Sequence, residues 1–378
     1  MTRTDLRAAG SHEAAGQPGS LYRGELLVAR RRRVVRALTA TAAAVGLAAL
    51  GAHPAVRREA RWAGRFARPL RQSVPQAPVP PSLPPGRVID LPGRGEVFVR
   101  DSGGAGPAVL LLHGWTASAD INFFPVYAPL AASYRVIALD QRGHGRGMRS
   151  AEPFRLEDCA DDADALCGQL GAGRVIAVGY SMGGPVALLL ARRHPGRVAA
   201  LVLQATALEW RHTACDRMVW RLLLGGLELG LRLGSGAGVV ERVLREIIEQ
   251  QSGLAVHRPW LAAEFGRGLT RELADAGRAL SRYDASPWAG RLGLPAATLI
   301  TSGDRLVRPA KQQELARALR AHVFEIDADH DLPLVKGEEY ARLTKLAVNT
   351  AAAAAGLTAW RSSEGTDLAR LCAAGVGC

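Results

Sequence analysis

The chain has 378 residues, 48% apolar and 22% charged, a globular balance that excludes wholesale disorder and collagen-like repeats. At most one stretch is apolar enough to consider as a membrane span, which excludes a polytopic membrane protein. The net charge of +13 is uneven: residues 1–86 hold 14 Arg against 4 acidic residues, whereas 87–378 hold 34 Lys and Arg against 31 Asp and Glu. The basicity belongs to an N-terminal arm, so no nucleic-acid stripe is expected on the folded part. Five cysteines show no metal-ligand spacing, and Cys159 and Cys167 fall two turns apart in an expected helix. A disulfide framework is therefore not expected.

In chain order, residues 1–33 read as a disordered basic region. Residues 34–52 read as an export signal or membrane anchor. Within them, Ala37–Ala52 is uncharged; as a helix it would span about 24 Å against a hydrocarbon core of about 30 Å. Arg31-Arg32-Arg33-Val34-Val35-Arg36 resembles a twin-arginine signal, and the small residues Gly51 and Ala52 suit a peptidase. Residues 53–72 make a basic amphipathic helix. Val56, Trp62, Phe66 and Leu70 share one side of it, and Arg57, Arg58, Arg61, Arg65, Arg68 and Arg71 the other. Such a helix fits a membrane surface, the partner expected for residues 37–71. Residues 73–86 carry six prolines and form a semi-rigid linker.

From Arg87 short apolar runs alternate with helical stretches. Expected strands are Glu96–Arg100, Ala108–His113, Tyr134–Leu139, Val175–Gly179, Ala199–Gln204, Ala297–Ser302 and Ala321–Ile326. Helices near 156–170, 182–194 and 310–319 fall between them. The alternation implies an α/β class: a mostly parallel β-sheet with helices on both faces. Residues 206–289 break the rhythm with the helices Trp210–Leu233, Val239–Gln250 and Ala262–Leu280. An all-helical insertion of this kind would cap the carboxyl ends of the strands, where ligands bind. The core is then 87–205 with 290–350, and 351–378 is a low-complexity tail.

The strongest motif is Gly179-Tyr180-Ser181-Met182-Gly183-Gly184, between the apolar run Val175–Val178 and an Ala/Leu-rich helix. A tight strand-to-helix turn strains its central residue. Gly179 and Gly183 leave room for neighbouring backbone, and Ser181 Oγ stands exposed at the sheet top as a candidate nucleophile.

Three further motifs accompany it: Leu112-His113-Gly114-Trp115, Asp140-Gln141-Arg142-Gly143-His144-Gly145 and His194-Pro195-Gly196-Arg197-Val198. With them, residues 88–350 resemble the α/β-hydrolase superfamily, in its Ser-Asp-His esterase and lipase-like branch. The resemblance implies nucleophile, acid and base in that chain order. His194 ends the nucleophile's helix, His212 and His257 lie in the cap, and His322 enters the last strand. His330, just past that strand, is the expected general base. Asp304, after Thr298–Thr301, is the expected orienting acid, while Asp327, Asp329 and Asp331 are expected as solvated loop charges. The resemblance assigns the oxyanion hole to the backbone N–H groups of Met182 and Trp115, with Gly114 beside them and His113 and His144 bracing their loops.

What the resemblance implies is a serine hydrolase of a carboxylic ester or thioester, working through an acyl-enzyme. The apolar cap residues Trp220, Leu222–Leu224, Leu227 and Leu231 point to a greasy acyl substrate. The same triad would serve acyl transfer, or perhydrolysis as in cofactor-free haloperoxidases. Epoxide hydrolases of this fold use Asp where this chain has Ser181. A non-catalytic ligand-binding member would normally lack a triad residue. No P-loop, dinucleotide fingerprint or zinc spacing appears, so no cofactor and no metal are expected. The expected location is the cell envelope, exported or membrane-associated, with no nucleic acid and no obligate protein partner.

Overall fold

Runs rich in Val, Leu, Ile and Ala pair into one eight-stranded sheet whose strands, by first residue, run in the order Gly86, Gly95, Arg135, Ala108, Val175, Val198, Ala296 and His322. The structure, a computed structural model, describes Pro80 and residues 83–359 apart from 151, 212, 233–244, 246–248, 250–251 and 268–270. The strands are β1 Gly86–Leu91, β2 Gly95–Asp101, β3 Ala108–Leu112, β4 Arg135–Leu139, β5 Val175–Tyr180, β6 Val198–Gln204, β7 Ala296–Thr301 and β8 His322–Ile326. β1 and β2 join the sheet antiparallel, and all other pairings are parallel. The arm, the signal or anchor segment 34–52, the helix 53–72, most of the linker, most of Val239–Gln250 and the tail from 360 lie outside the described residues. No helix among the described residues is long and apolar enough to cross a membrane.

Around the sheet run α1 Ala119–Phe123, α2 Tyr127–Ala131, α3 Leu156–Gln169, α4 Gly183–Arg193, α5 Ala214–Arg232, α6 Arg258–Arg267, α7 Arg271–Arg282, α8 Pro309–Leu319, α9 Leu332–Val335 and α10 Gly337–Ala354. Strand side chains alternate between the two faces. Leu110, Leu112, Ala177, Leu201 and Leu203 join one apolar cluster with α3 and α4, and Val109, Leu111, Val178, Ala200 and Val202 join another with α2 and α10. Burying both faces is why these strands read as unbroken apolar runs. Each fully buried Leu contributes about 2–3 kcal/mol.

Between β6 and β7 the chain inserts α5, a short 3₁₀ turn Ser252–His257, α6 and α7. The insertion has a narrow neck, where Glu209 bridges Asp284 and Ala285 N–H donates to Leu208 O at 2.8 Å. α5 starts at Ala214 rather than Trp210, because Thr213 and Asp216 cap it reciprocally: Asp216 N–H donates to Thr213 Oγ1 and Thr213 N–H to Asp216 Oδ2, each at 3.0 Å. The expected helix Ala262–Leu280 corresponds to two elements, α6 ending at Arg267 and α7 beginning at Arg271, with 268–270 outside the described residues. Two more boundaries move. α10 continues to Ala354 with Ala351 and Ala352 buried, so the tail begins later than 351. The fold also starts before Arg87: Pro84 is buried, Leu83 is half-buried against the core, and β1 is a strand beyond those expected.

Candidate active site

β5 delivers Ser181 into the turn before α4 with φ of 52°, a left-handed conformation that a residue with a side chain adopts at a cost. The surrounding packing imposes it. A Cβ on Gly183 would lie 1.8 Å from Leu112 O, and one on Gly179 would lie 2.4 Å from Gly183 O. Ser181 N–H donates to Gln204 O at 2.9 Å, tying the turn to the end of β6.

His330, in the loop after β8, meets this serine. Ser181 Oγ–H donates to His330 Nε2 at 2.9 Å, and His330 Nδ1–H donates to Asp304 Oδ2 at 2.8 Å. Asp304, buried after β7, also accepts from the Leu306 and Val307 N–H groups, the Thr301 hydroxyl and the Gln312 amide. Burial pushes the Asp304 pKa up, but the His330 charge and hydrogen bond, with the Val307 N–H and Thr301 hydroxyl, hold it below the ordinary value. Burial pulls the His330 pKa down, yet the Asp304 carboxylate overrides it, helped by Asp329 and Asp331, and the net shift is upward. The imidazole keeps 20% of its side-chain surface exposed, so its edge is reachable from outside.

The loop after β3 lies against the same serine. A Cβ on Gly114 would be 3.2 Å from Ser181 Cβ, and Gly114 N–H donates to Asn122 Oδ1 at 2.7 Å. His113 Nε2 accepts from Gln141 N–H at 2.9 Å, which leaves Nδ1–H to donate to Gly114 O at 2.8 Å. Burial lowers the pKa of His113, and lowers that of His144 to about 3, so both rings are neutral props between the loops after β3 and β4. The N–H groups of Trp115 and Met182 find no acceptor among the described residues. Two free donors beside a serine hydroxyl can hold an oxyanion.

The other histidines lie elsewhere. His194 pairs with Asp161 and Asp164 of α3, His322 opens the edge strand beside Phe324, and His257 ends the 3₁₀ turn; His212 lies outside the described residues. Asp329 is not a solvated loop charge. It accepts from His330 N–H and pairs with Arg305, which fixes the histidine loop. Nor does the whole apolar face of α5 turn inward: Trp220 and Leu227 are buried, but Leu222 is 53% exposed. The Trp115 indole does not hang free beside the serine; it donates to Leu273 O of α7 at 2.8 Å.

The insertion also meets the sheet through buried charge. Arg146 reaches Asp120, Asp140 and Glu264, while Arg100 grips Asp120 with two hydrogen bonds. Glu264, on α6, accepts from Ser118 Oγ at 2.7 Å and pairs with Arg267. The sequence carries no local signal for this network, since its members are scattered over four distant stretches of chain, at 100, 118–120, 140–146 and 264–267.

A family model described as the alpha/beta hydrolase fold matches residues 107–223. A pimeloyl-acyl-carrier-protein methyl ester esterase of Neisseria meningitidis serogroup C is 30% identical over 220 residues, 56% of this chain and 81% of that protein. A non-heme haloperoxidase of Rhodococcus erythropolis is 39% identical over 109 residues, 29% of this chain and 39% of that protein. With it, a 2-(acetamidomethylene)succinate hydrolase of Mesorhizobium japonicum is matched over 41% of its length, so the chain spans about two fifths of these two relatives. Among solved structures, the enol-lactonase from Burkholderia xenovorans LB400 superposes with a TM-score of 0.58 at 22% identity, covering 70% of this chain and all of that one. The chain belongs to the α/β-hydrolase fold family.

Proposed function

We propose that the protein is a serine hydrolase of carboxylic esters or thioesters, with Ser181 as nucleophile, His330 as general base and Asp304 as the carboxylate that orients it. The supporting observation is the unbroken relay from Ser181 Oγ to His330 Nε2 at 2.9 Å and from His330 Nδ1 to Asp304 at 2.8 Å. Ser181 Oγ attacks the carbonyl carbon as His330 takes its proton. The carbonyl oxygen gains the negative charge, which the Met182 and Trp115 N–H groups hold. His330, now cationic beside Asp304, returns the proton to the leaving alcohol or thiol. Water then repeats the sequence on the acyl-enzyme and releases the acid. The haloperoxidase relative lends weight to a second reading, in which hydrogen peroxide replaces water in that last step. Product analysis with and without peroxide separates the two. The uncharged and basic stretches within 37–71 support attachment to a membrane surface.

Ser181→Ala tests the nucleophile. Turnover of p-nitrophenyl esters should drop on the order of a million-fold, and covalent labelling by a fluorophosphonate should vanish while the melting temperature holds. Full residual labelling would remove Ser181 from the role.

A further inference from the structure

Trp115 sits between two unusual neighbours. Gly114 presses its backbone on Ser181. Thr116 adopts φ of 66°, where a β-branched residue is a steric outlier. No hydrogen bond among the described residues holds Thr116 in that shape. The restraint must come through its neighbours, and the Trp115 side chain is keyed into the insertion from three directions. Its indole N–H donates to Leu273 O on α7 at 2.8 Å. Its ring lies 5.8 Å from that of Trp220 on α5, whose own N–H donates to Trp210 O at 3.1 Å. Gly277 provides the slot: a Cβ there would come within 2.6 Å of both the indole and Leu224.

We propose that the helical insertion, through the Trp115 indole, holds the strained loop Gly114–Thr116 in the one shape that turns the Trp115 N–H toward the reacting carbonyl. This rests on the serine-hydrolase reading and adds a positioning residue to it. The main chain of Trp115 stabilises the oxyanion, and its side chain reports whether the cap is seated. When the cap lifts, the indole loses its hold, Thr116 relaxes to negative φ and the N–H turns away. Cap closure thereby completes the site, so acyl transfer is fast only while substrate is covered.

The test is a pair of substitutions on the full chain. Trp115→Phe keeps an aromatic ring and removes the bond to Leu273. Turnover of p-nitrophenyl butyrate should fall about tenfold or more at nearly constant KM, because the loop is misplaced while the acyl site stays. Adding Thr116→Gly should recover most of that loss, since glycine accepts positive φ without strain. Gly277→Ala perturbs the same ring from the cap side and should show the same loss and rescue, which keeps the test informative if Trp115→Phe folds poorly. An unchanged kcat, or a Thr116→Gly change that merely multiplies the loss, overturns the proposal. If Ser181→Ala abolishes turnover while Trp115→Phe and Gly277→Ala both match the wild type, only this inference falls. If Ser181→Ala stays active, the serine reading falls first.

Discussion

Asp304→Asn isolates the carboxylate proposed to orient His330 without removing bulk. The side chain is fully buried, so solvent cannot replace what it loses. Its Oδ1 accepts from Leu306 N–H at 2.9 Å and Val307 N–H at 2.8 Å, and an amide oxygen there keeps both bonds. The new NH₂ must then stand where Oδ2 was, 2.8 Å from Thr301 Oγ1 and His330 Nδ1 and 3.2 Å from Gln312 Nε2. Thr301 can turn its hydroxyl toward Gln312 Oε1, and Gln312 still donates to Val307 O. His330 has no such freedom. Its Nδ1 becomes the acceptor, its proton moves to Nε2, and the ring offers Ser181 a donor instead of a base. The expected loss in kcat is about 10⁴-fold, or about 5 kcal/mol of transition-state stabilisation. The fold should lose only about 1–3 kcal/mol. Initial rates on p-nitrophenyl butyrate beside a thermal melt read both quantities. Residual kcat above about one tenth of wild type would show that His330 needs no carboxylate partner, and the role of Asp304 would be withdrawn.

Two other outcomes follow from the same geometry. Because His330 must be neutral to accept a proton and its pKa is raised, kcat should rise with pH along a limb centred above 6.5; a limb at or below that value contradicts the Asp304 coupling. Stability has two arms: the raised His330 pKa contributes fully below its unfolded value of 6.5 and is lost as pH climbs through the folded value. The depressed Asp304 pKa contributes above its unfolded value of 3.8 and is lost as pH falls through the folded one. The pair therefore stabilises most between 3.8 and 6.5, and Asp304→Asn should flatten both arms of a melting temperature against pH profile. Glycines give a contrast by position. Gly183→Ala drives a Cβ to 1.8 Å from Leu112 O and should prevent folding, whereas Gly226→Ala in α5 meets nothing within 4 Å. The latter should gain about 0.5–1 kcal/mol, and equal melts for the two would contradict the backbone packing described.

The sheet and the cluster of Ser181, His330 and Asp304 were readable because their signals are local. Strands buried on both faces must be largely apolar, and β3, β5 and β6 are, with Gln204 at the carboxyl end of β6 the polar exception. Ser181 is marked by flanking glycines, and Asp304 and His330 by standing just past successive strands. β1 lacked such a mark: it is an edge strand with Val88 60% exposed, and its place comes from pairing with β2. The parts that seat the insertion were not readable at all. Ser118 reaches Glu264 across 146 positions, and Trp115 reaches Leu273 across 158. A buried Glu and a buried Trp N–H need partners, but that need does not say which residues supply them.

Backbone strain locates the site independently of any motif. Four described non-glycine residues have positive φ, and Arg320 is the left-handed cap that ends α8. The other three are Thr116, Ser181 and Ala205, and each follows the carboxyl end of a strand: β3, β5 and β6, neighbours in the sheet. Strain of this kind persists only where the surroundings over-determine it. Gly183 against Leu112 O and Ser181 N–H on Gln204 O do so for the serine turn, and Ala205 N–H on Leu299 O does so for the next. Thr116 has no hydrogen bond among the described residues, and the proposal above assigns its restraint to the insertion. On that proposal the strain at the sheet's rim is permanent at Ser181 and conditional at Thr116, the arrangement expected if the proposed nucleophile is always ready and the proposed oxyanion donor waits for the cap.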